Sequence, residues 1–179
     1  MKRFYLLLIL LLQVPIAFCQ SEIIEVNGIY SMDIPDILDA TGTLNDDASL
    51  QYNNLYEEKY IIVIDEDKQE FVDAFISLDE YDESISVVDN YANVQLAFID
   101  ESVEFTDGFE LESLKINGMD ARLKPINGLI SGLDEEISYW LCYVEGKETM
   151  YTVMAWTLKS KKSSFEKEAL KMIKSLKEL

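Results

Sequence analysis

The sequence of 179 residues contains no histidine, so carboxylates, lysines and two cysteines are the side chains most able to do chemistry. Histidine is the commonest general base and a common metal ligand. Its absence excludes a Ser-His-Asp or Cys-His catalytic site and a typical catalytic zinc site. Glycine-rich phosphate loops, nucleophile elbows and dinucleotide-binding fingerprints are also missing. We therefore expect a protein that is not an enzyme and has no cofactor.

Acid–base catalysis by paired carboxylates is the one enzymatic mechanism that the composition leaves open. Paired acids hydrolyse glycosides when they lie about 5–10 Å apart across a cleft. The chain has 34 Asp and Glu residues, so some pair lies close by chance. A carboxylate-dependent hydrolase therefore remains an alternative function, although no pair stands out by its spacing.

Three acidic segments carry oxygen atoms of the kind that calcium binds. The run Asp65-Glu66-Asp67 resembles the start of an EF-hand loop, but Glu70 stands where that loop requires glycine. Asn45-Asp46-Asp47 and Asp134-Glu135-Glu136 are similar acidic runs. Charge runs of this kind are typical of solvated turns, so we predict no metal site.

The charge of the chain is strongly negative and uneven. Its formal net charge of −19 disfavours nucleic acid and anionic membranes as partners. Seven of the fifteen Lys and Arg residues fall between Lys159 and Lys177. A solvated helix face explains this cluster. The alternative is a docking patch for an unidentified protein partner, made of Lys159, Lys161, Lys162 and Lys167.

Residues 1–19 have the pattern of a secretory signal peptide. Lys2 and Arg3 precede the short apolar run Phe4–Leu12, and Ala17-Phe18-Cys19 has small residues at the positions that signal peptidase recognises. We predict cleavage before Gln20 and a secreted or periplasmic protein without a transmembrane helix in the mature chain. The alternative is a lipoprotein anchored through Cys19, since residues 16–19 distantly resemble a lipobox.

Cys142 is the only cysteine left after cleavage, which excludes a disulfide framework. It lies in Ile137–Val144, a predicted strand that is apolar on both alternating faces. We interpret Cys142 as a buried, inert thiol, because a reactive one needs an exposed, electropositive setting.

The C-terminal third predicts a central strand followed by a helix. Met150–Leu158 is apolar or small on both alternating faces, which is typical of a strand covered on both sides. Apolar residues then recur at three- and four-residue spacing from Phe165 to Leu176, as in an amphipathic helix. Ser163 and Glu166 are spaced as a capping box at its start.

The rest of the chain predicts further strands and one more long helix. Asn-Gly pairs, which favour two-residue hairpin turns, occur at residues 27–28 and 117–118. Apolar residues follow a 3.6-residue period through the predicted helix Ser84–Ser102. The predicted strands are Glu22–Val26, Ile29–Ile34, Leu50–Tyr56, Tyr60–Ile64, Phe109–Ile116, Met119–Ile126, Ile137–Val144 and Met150–Leu158; Lys68–Phe75 is predicted as a helical turn, and 35–47 and 127–136 as loops.

Hairpin connections predict an antiparallel sheet, and strands that are apolar on both faces need cover on both sides. We therefore predict an α+β fold: a three-layer α/β/α sandwich with a central, mainly antiparallel sheet of about 6–8 strands and two main helices. Residues 20–179 form one domain, because no repeat or linker divides them.

This order of elements resembles the PsbP-like fold family. The likeness is carried by Asn27–Pro35, by the hairpin Leu50–Asp65 and by the last strand running into Ser163–Glu166. Ile37-Leu38 stands where that family often has tryptophan. The resemblance implies a non-catalytic accessory or protein-binding module, and it carries no functional residue over to this chain.

Aromatic residues on the strands leave a second binding function open. Some of them would line a pocket between sheet and helix, where a small apolar ligand would fit. The protein would then be a carrier. These residues are Tyr52, Tyr56, Tyr139, Trp140, Tyr143, Tyr151 and Trp156.

The predicted signal peptide determines where the mature protein should begin. When the full precursor is produced in its own cells, the purified protein should begin at Gln20, because signal peptidase removes residues 1–19. Intact-mass measurement with N-terminal sequencing checks this. A protein that begins at a lipid-modified Cys19 would instead establish the membrane-anchored alternative.

Overall fold

The structure, a computed structural model, describes residues 20–100, 103–107 and 110–179. The predicted leader lies outside these ranges. The strands are β1 Ser21–Val26, β2 Tyr30–Pro35, β3 Asp39–Ala40, β4 Leu50–Asn54, β5 Lys59–Asp67, β6 Val103–Phe105, β7 Glu112–Ile116, β8 Met119–Ile130, β9 Ile137–Glu145, β10 Thr149–Leu158 and β11 Lys177–Glu178. The helices are α1 Lys68–Ser77, α2 Val87–Asp100 and α3 Lys162–Ser175, and a 3₁₀ turn at Lys159–Lys161 precedes α3.

Strands β9 and β10 lie at the centre of an eight-stranded antiparallel sheet. The strand order is β3-β4-β5-β10-β9-β8-β6, and β7 also pairs with β8. Val153 of β10 lies between Val63 of β5 and Cys142 of β9. Side chains alternate between the two faces of a strand, so the apolar residues of β9 and β10 build a core on each side.

Helix α3 and the second sheet cover one face. Phe165, Ala169 and Met172 of α3 are buried against residues such as Trp140 and Val153. The second sheet has the order β1-β2-β11, and β2 contributes its buried side chains to the same core.

Helices α1 and α2 cover the other face. Val88 and Tyr91 of α2 and Phe71 of α1 are buried with Leu141 and Tyr143 of β9. The main sheet therefore lies between two helical layers. The predicted three-layer sandwich and its antiparallel central sheet are confirmed.

Both Asn-Gly pairs have the backbone that this sequence favours, although the first lies in a three-residue connection, since Val26 pairs with Tyr30. Asn27 and Gly28 have φ values of 52° and 70°, and Asn117 and Gly118 have φ values of 48° and 92°. Positive φ at both central residues is the geometry of a type I′ turn, which matches the twist of the strands it joins.

Several predicted boundaries are wrong, mostly where pairing overrides a local signal. Strand β8 runs on to Ile130 through the predicted loop 127–136, because Gly128 pairs with Ile137 of β9 and with Phe105 of β6. A β-carbon at Gly128 would clash with Val103 Cγ1, so this glycine permits a close strand approach.

Helix α1 starts at Lys68, as predicted, and runs to Ser77, two residues beyond the predicted end; Asp67 caps it by accepting a hydrogen bond from the Glu70 amide at 2.8 Å. The starts of the other two helices differ from the predictions. Ser163 does not cap α3, because the preceding 3₁₀ turn already carries the chain into the helix at Lys162. Helix α2 starts at Val87, three residues later than predicted.

The strand order adds a sheet that the sequence did not predict. The first hairpin pairs with the two-residue strand β11 rather than joining the main sheet. Within the described ranges, no helix has the length and apolar character needed to cross a membrane.

An ion pair fastens α2 to the sheet. Arg122 of β8 donates from Nε to Asp89 Oδ1 at 2.6 Å and from Nη2 to Asp89 Oδ2 at 2.8 Å. These hydrogen bonds hold the pKa of Asp89 below its usual value of 3.8. The pair is largely screened from water on the Arg122 side, whose side chain is 14% exposed.

Substituting Arg122→Met should lower the free energy of unfolding by about 1–2 kcal/mol at pH 7, because a bidentate, partly buried pair is lost. The folded-state pKa of Asp89 is lowered, so the stabilisation is present above its unfolded pKa and is lost as pH falls through the folded pKa. Urea unfolding at pH 7 and pH 3 measures both effects.

The matched control is Lys115→Met. Lys115 pairs with Asp120 at 2.8 Å, but the two side chains are 64% and 56% exposed. This substitution should change stability by less than about 0.5 kcal/mol. Equal losses for both variants would show that the Arg122 pair does not fasten α2.

Candidate binding groove

The helical layer of α1 and α2 does not cover the whole of its face of the sheet. Helix α2 packs mainly on β8 and β9, and α1 on β5 near Asp67. An open groove of about 390 Å³ lies over β5 and β10, between the last turns of α2 and the loop at Leu44 and Asn45. We call it the apolar groove, and its lining residues are Leu44, Asn45, Ile62, Ile64, Gln95, Phe98, Ile99, Val103, Ile130, Tyr139, Thr152, Met154 and Trp156.

Aromatic side chains form the floor of one end of the apolar groove. Trp156 of β10 lies directly opposite Tyr60 of β5 and stacks on it, with ring centroids 5.2 Å apart and an interplanar angle of 7°. Tyr60 Oη donates to Glu58 Oε2 at 2.6 Å. Burial, with Glu58 nearby, raises the pKa of Tyr60 to about 12, so the ring stays neutral at physiological pH.

Phe98 of α2 forms part of one wall of the groove. It lies in the last part of α2 and is 60% exposed, although the helical period predicts it on the apolar face. An exposed aromatic ring that lines an apolar groove is typical of an interaction surface.

The groove continues into an acidic cavity of about 430 Å³. The two share Ile64, Gln95 and Phe98, and the second adds Asp47, Asp65 and Glu66. Side chains alternate along β5, and Asp65 pairs with Tyr151 of the α3-side core, so its side chain lies on the opposite face of the sheet. We call Asp47 and Glu66 the acidic end. None of the salt bridges among the described residues includes either of them.

A hydrogen-bond network holds Glu66 in place. Tyr91 Oη donates to Glu66 Oε2, and Gln95 Nε2 donates to the same oxygen at 3.0 Å. Thr152 Oγ1 donates to Tyr91 Oη at 3.0 Å. Burial raises the pKa of Tyr91 far above its usual value, so the phenol remains a donor to Glu66. The negative charge at this end is therefore fixed in position.

The four lysines of the predicted docking patch do not form one free surface. Lys159 Nζ pairs with Glu136 Oε2 at 2.5 Å, and Lys161 Nζ donates to the Tyr56 carbonyl at 3.5 Å. Lys162 Nζ donates to Asn127 Oδ1 at 3.5 Å. Lys167 is exposed on α3, in the layer opposite α2. Their role in docking stays a prediction.

Residues of the predicted acidic turns accept hydrogen bonds within the fold. Asn45 Oδ1 accepts from the Asp47 amide at 2.8 Å, and Glu135 accepts from the Ser160 amide at 3.1 Å. Asp65 and Glu66 belong to β5 rather than to a loop. In the part of the chain that the structure describes, no group of three or more acidic or cysteine side chains is placed to hold a metal ion.

Cys142 is fully buried in β9, and burial raises the pKa of its thiol to about 12. The thiolate is therefore absent at physiological pH, as expected of an inert cysteine. The predicted aromatic residues divide into groups: Tyr139 and Trp156 line the groove, whereas Trp140, Tyr143 and Tyr151 are buried in the cores.

Tyr56, which was expected on a strand, lies beyond the end of β4 and is 90% exposed. The sequence analysis missed Phe98, Leu44 and Met154 as groove residues. Met154 belongs to the predicted central strand, and only the incomplete helical cover distinguishes it from a core residue.

Comparison with known proteins places this architecture. No family model and no curated protein matches the sequence. The solution structure of the cyanobacterial PsbP protein CyanoP from Synechocystis sp. PCC 6803 matches with a TM-score of 0.56 and 8% identity, over 92% of this chain and 96% of that one. This chain has the PsbP-like fold.

Two further solved structures agree. The Ran-binding protein Mog1p of Saccharomyces cerevisiae matches with a TM-score of 0.54 and 10% identity, over 89% of this chain and 95% of that one. LpqN of Mycobacterium tuberculosis, involved in cell envelope biogenesis, matches with a TM-score of 0.54 and 12% identity, over 89% and 90%. At these identities the likeness establishes the fold, not the function.

The fluorescence of Trp156 reports on whether the groove is open to solvent. The sequence has two tryptophans; Trp140 is fully buried, and Trp156 lines the open groove. Acrylamide should therefore quench the native protein mainly through Trp156, and Trp156→Phe should remove most of the quenchable emission. Unchanged quenching in this variant would show that the groove is closed to solvent; Tyr56→Phe, at an exposed hairpin tip, is the control.

Proposed function

We propose that this protein is a non-catalytic binding module that acts outside the cytoplasm by docking on another protein. The observation that carries the proposal is the apolar groove, where Phe98 is 60% exposed beside Met154 and Trp156. Exposed apolar surfaces of this kind, flanked by charged residues, mark interaction sites in soluble proteins.

The shape of the groove favours a segment of a macromolecule. The sheet forms its floor and α2 one wall, while the exposed ring of Phe98 leaves it open to solvent. Small-molecule sites bury most of their ligand in a cleft or cavity. An open groove suits instead the side chains of a peptide segment that lies across it.

Two independent observations support a location outside the cytoplasm. The first is the signal peptide pattern of residues 1–19. The second is the shared fold with LpqN, which is described as involved in cell envelope biogenesis, while Mog1p is described as Ran-binding. These are properties of those proteins, and they support an extracytoplasmic, protein-binding role for this chain by analogy.

Transport of a small apolar ligand is the second candidate function. The volume of the groove, about 390 Å³, falls in the range of ligand pockets, and most of its lining is apolar. Native mass spectrometry after gentle purification tests this function: a bound mass in addition to the polypeptide would support it.

Affinity capture of the tagged, full-length protein from its own cells tests the docking proposal. A partner should be captured in near-equal amount by the wild type and lost with Phe98→Glu, which places a charge in the groove. Ile76→Glu is the matched control, because Ile76 of α1 is 52% exposed and does not line the groove. Equal capture by both variants would contradict docking through the groove.

The lysine hypothesis has its own variant in the same experiment. Replacing Lys159, Lys161, Lys162 and Lys167 together with Glu should reduce capture if these residues dock the partner. Loss of capture in this variant alone, with Phe98→Glu unaffected, would move the docking surface from the groove to the start of α3.

A further inference from the structure

We propose that the occupant of the groove is an extended, cationic segment of the partner, with a large apolar side chain at the Trp156 end and a lysine or arginine at the acidic end. This inference rests on the proposed docking function and adds the chemistry and direction of the bound segment. It is carried by the arrangement of side chains along β5 and β10.

The strands give the groove a direction. Strand β5 runs from Lys59 to Asp67, so Tyr60, which stacks on Trp156, lies near one end and Glu66 near the other. Glu66 lies six positions after Tyr60 along the strand, which spans about 20 Å. An extended segment with its apolar anchor and its cation about four to six residues apart would reach both ends.

The acidic end selects the charge of the segment. Asp47 and Glu66 take part in none of the salt bridges of the described residues, and the whole chain carries a net charge of −19. Glu66 is held toward this cavity by Tyr91 and Gln95. A cationic segment is therefore attracted, whereas an anionic peptide, a fatty acid or a phosphate is repelled.

The segment binds through its side chains rather than by adding a strand. Strand β10 is paired along both edges, with β5 and β9, and residues 59–63 of β5 are paired with both β4 and β10. The backbone groups beneath the Trp156 end of the groove are thus already used. The binding surface is the sheet face that carries Ile62, Met154 and Trp156.

Trp156 fluorescence of the mature, full-length protein measures this binding. The probe is the capped peptide Gly-Phe-Ser-Gly-Ser-Gly-Lys-Lys-Gly; one twin replaces both lysines with glutamate, and another replaces phenylalanine with alanine. We expect the lysine peptide to shift the emission and to bind at least about tenfold more tightly than either twin. Its affinity should fall as salt is raised, since the charges are exposed.

A matched pair of variants locates the charge. Asp47→Asn should weaken binding of the lysine peptide and flatten its salt dependence. Asp46→Asn should not, because Asp46 is exposed on the same loop but does not line the acidic end. Asp47→Lys should abolish the preference for the lysine peptide over the glutamate peptide. Circular dichroism confirms that each variant is folded.

The outcomes separate this inference from the docking function. If the glutamate peptide binds as well as the lysine peptide, or if no peptide binds while partner capture still depends on Phe98, the proposed segment is wrong and docking stands. If capture is also independent of Phe98, docking through the groove fails. A Trp156 signal that changes with protein concentration alone would make a second copy of this chain the occupant and would overturn the inference.

Discussion

The burial of β9 and β10 on both faces is the constraint on which the structure depends. Every residue of β9 from Ile137 to Val144 is buried, although the side chains alternate between the faces. A sheet with such a centre is stable in water only when both faces are covered. Helix α3 with the small sheet covers one face, and α1 with α2 covers the other. The two faces are covered by different parts of the chain, and the cover over one face is less complete than the cover over the other.

The candidate site lies on the face of the sheet that α1 and α2 cover incompletely. The α3 layer fits its face closely, and Phe165, Ala169 and Ile173 are fully buried there. On the other face, α2 lies over β8 and β9 and leaves Met154 and Trp156 of β10 half-buried. Apolar side chains that would be core residues beneath a longer or shifted helix become a binding surface here. The same hydrophobic pattern therefore specifies both the fold and the groove.

This explains which features the sequence could predict. Strand β10, the type I′ turns and helix α3 follow from local periodicity and turn chemistry, and the sandwich follows from the two-faced strands. The small sheet does not, because Lys177 and Glu178 of β11 carry no strand pattern and pair only through their position beside β2. The groove was equally hidden, since segments around residues 44–47, 95–99 and 152–156 meet only in the fold. Phe98 has the spacing of a core residue, and only tertiary packing exposes it.

The pairing of β11 with β2 joins segments that are far apart in the sequence. Strand β11 bonds to residues 30 and 31, and the amide of Leu179 donates to the carbonyl of Ile29 at 2.9 Å. Closing so long a loop costs conformational entropy, so these contacts form only after the main sheet and α3 have brought the two segments together. The first hairpin therefore gains its third strand and its α3 cover only as the rest of the fold forms.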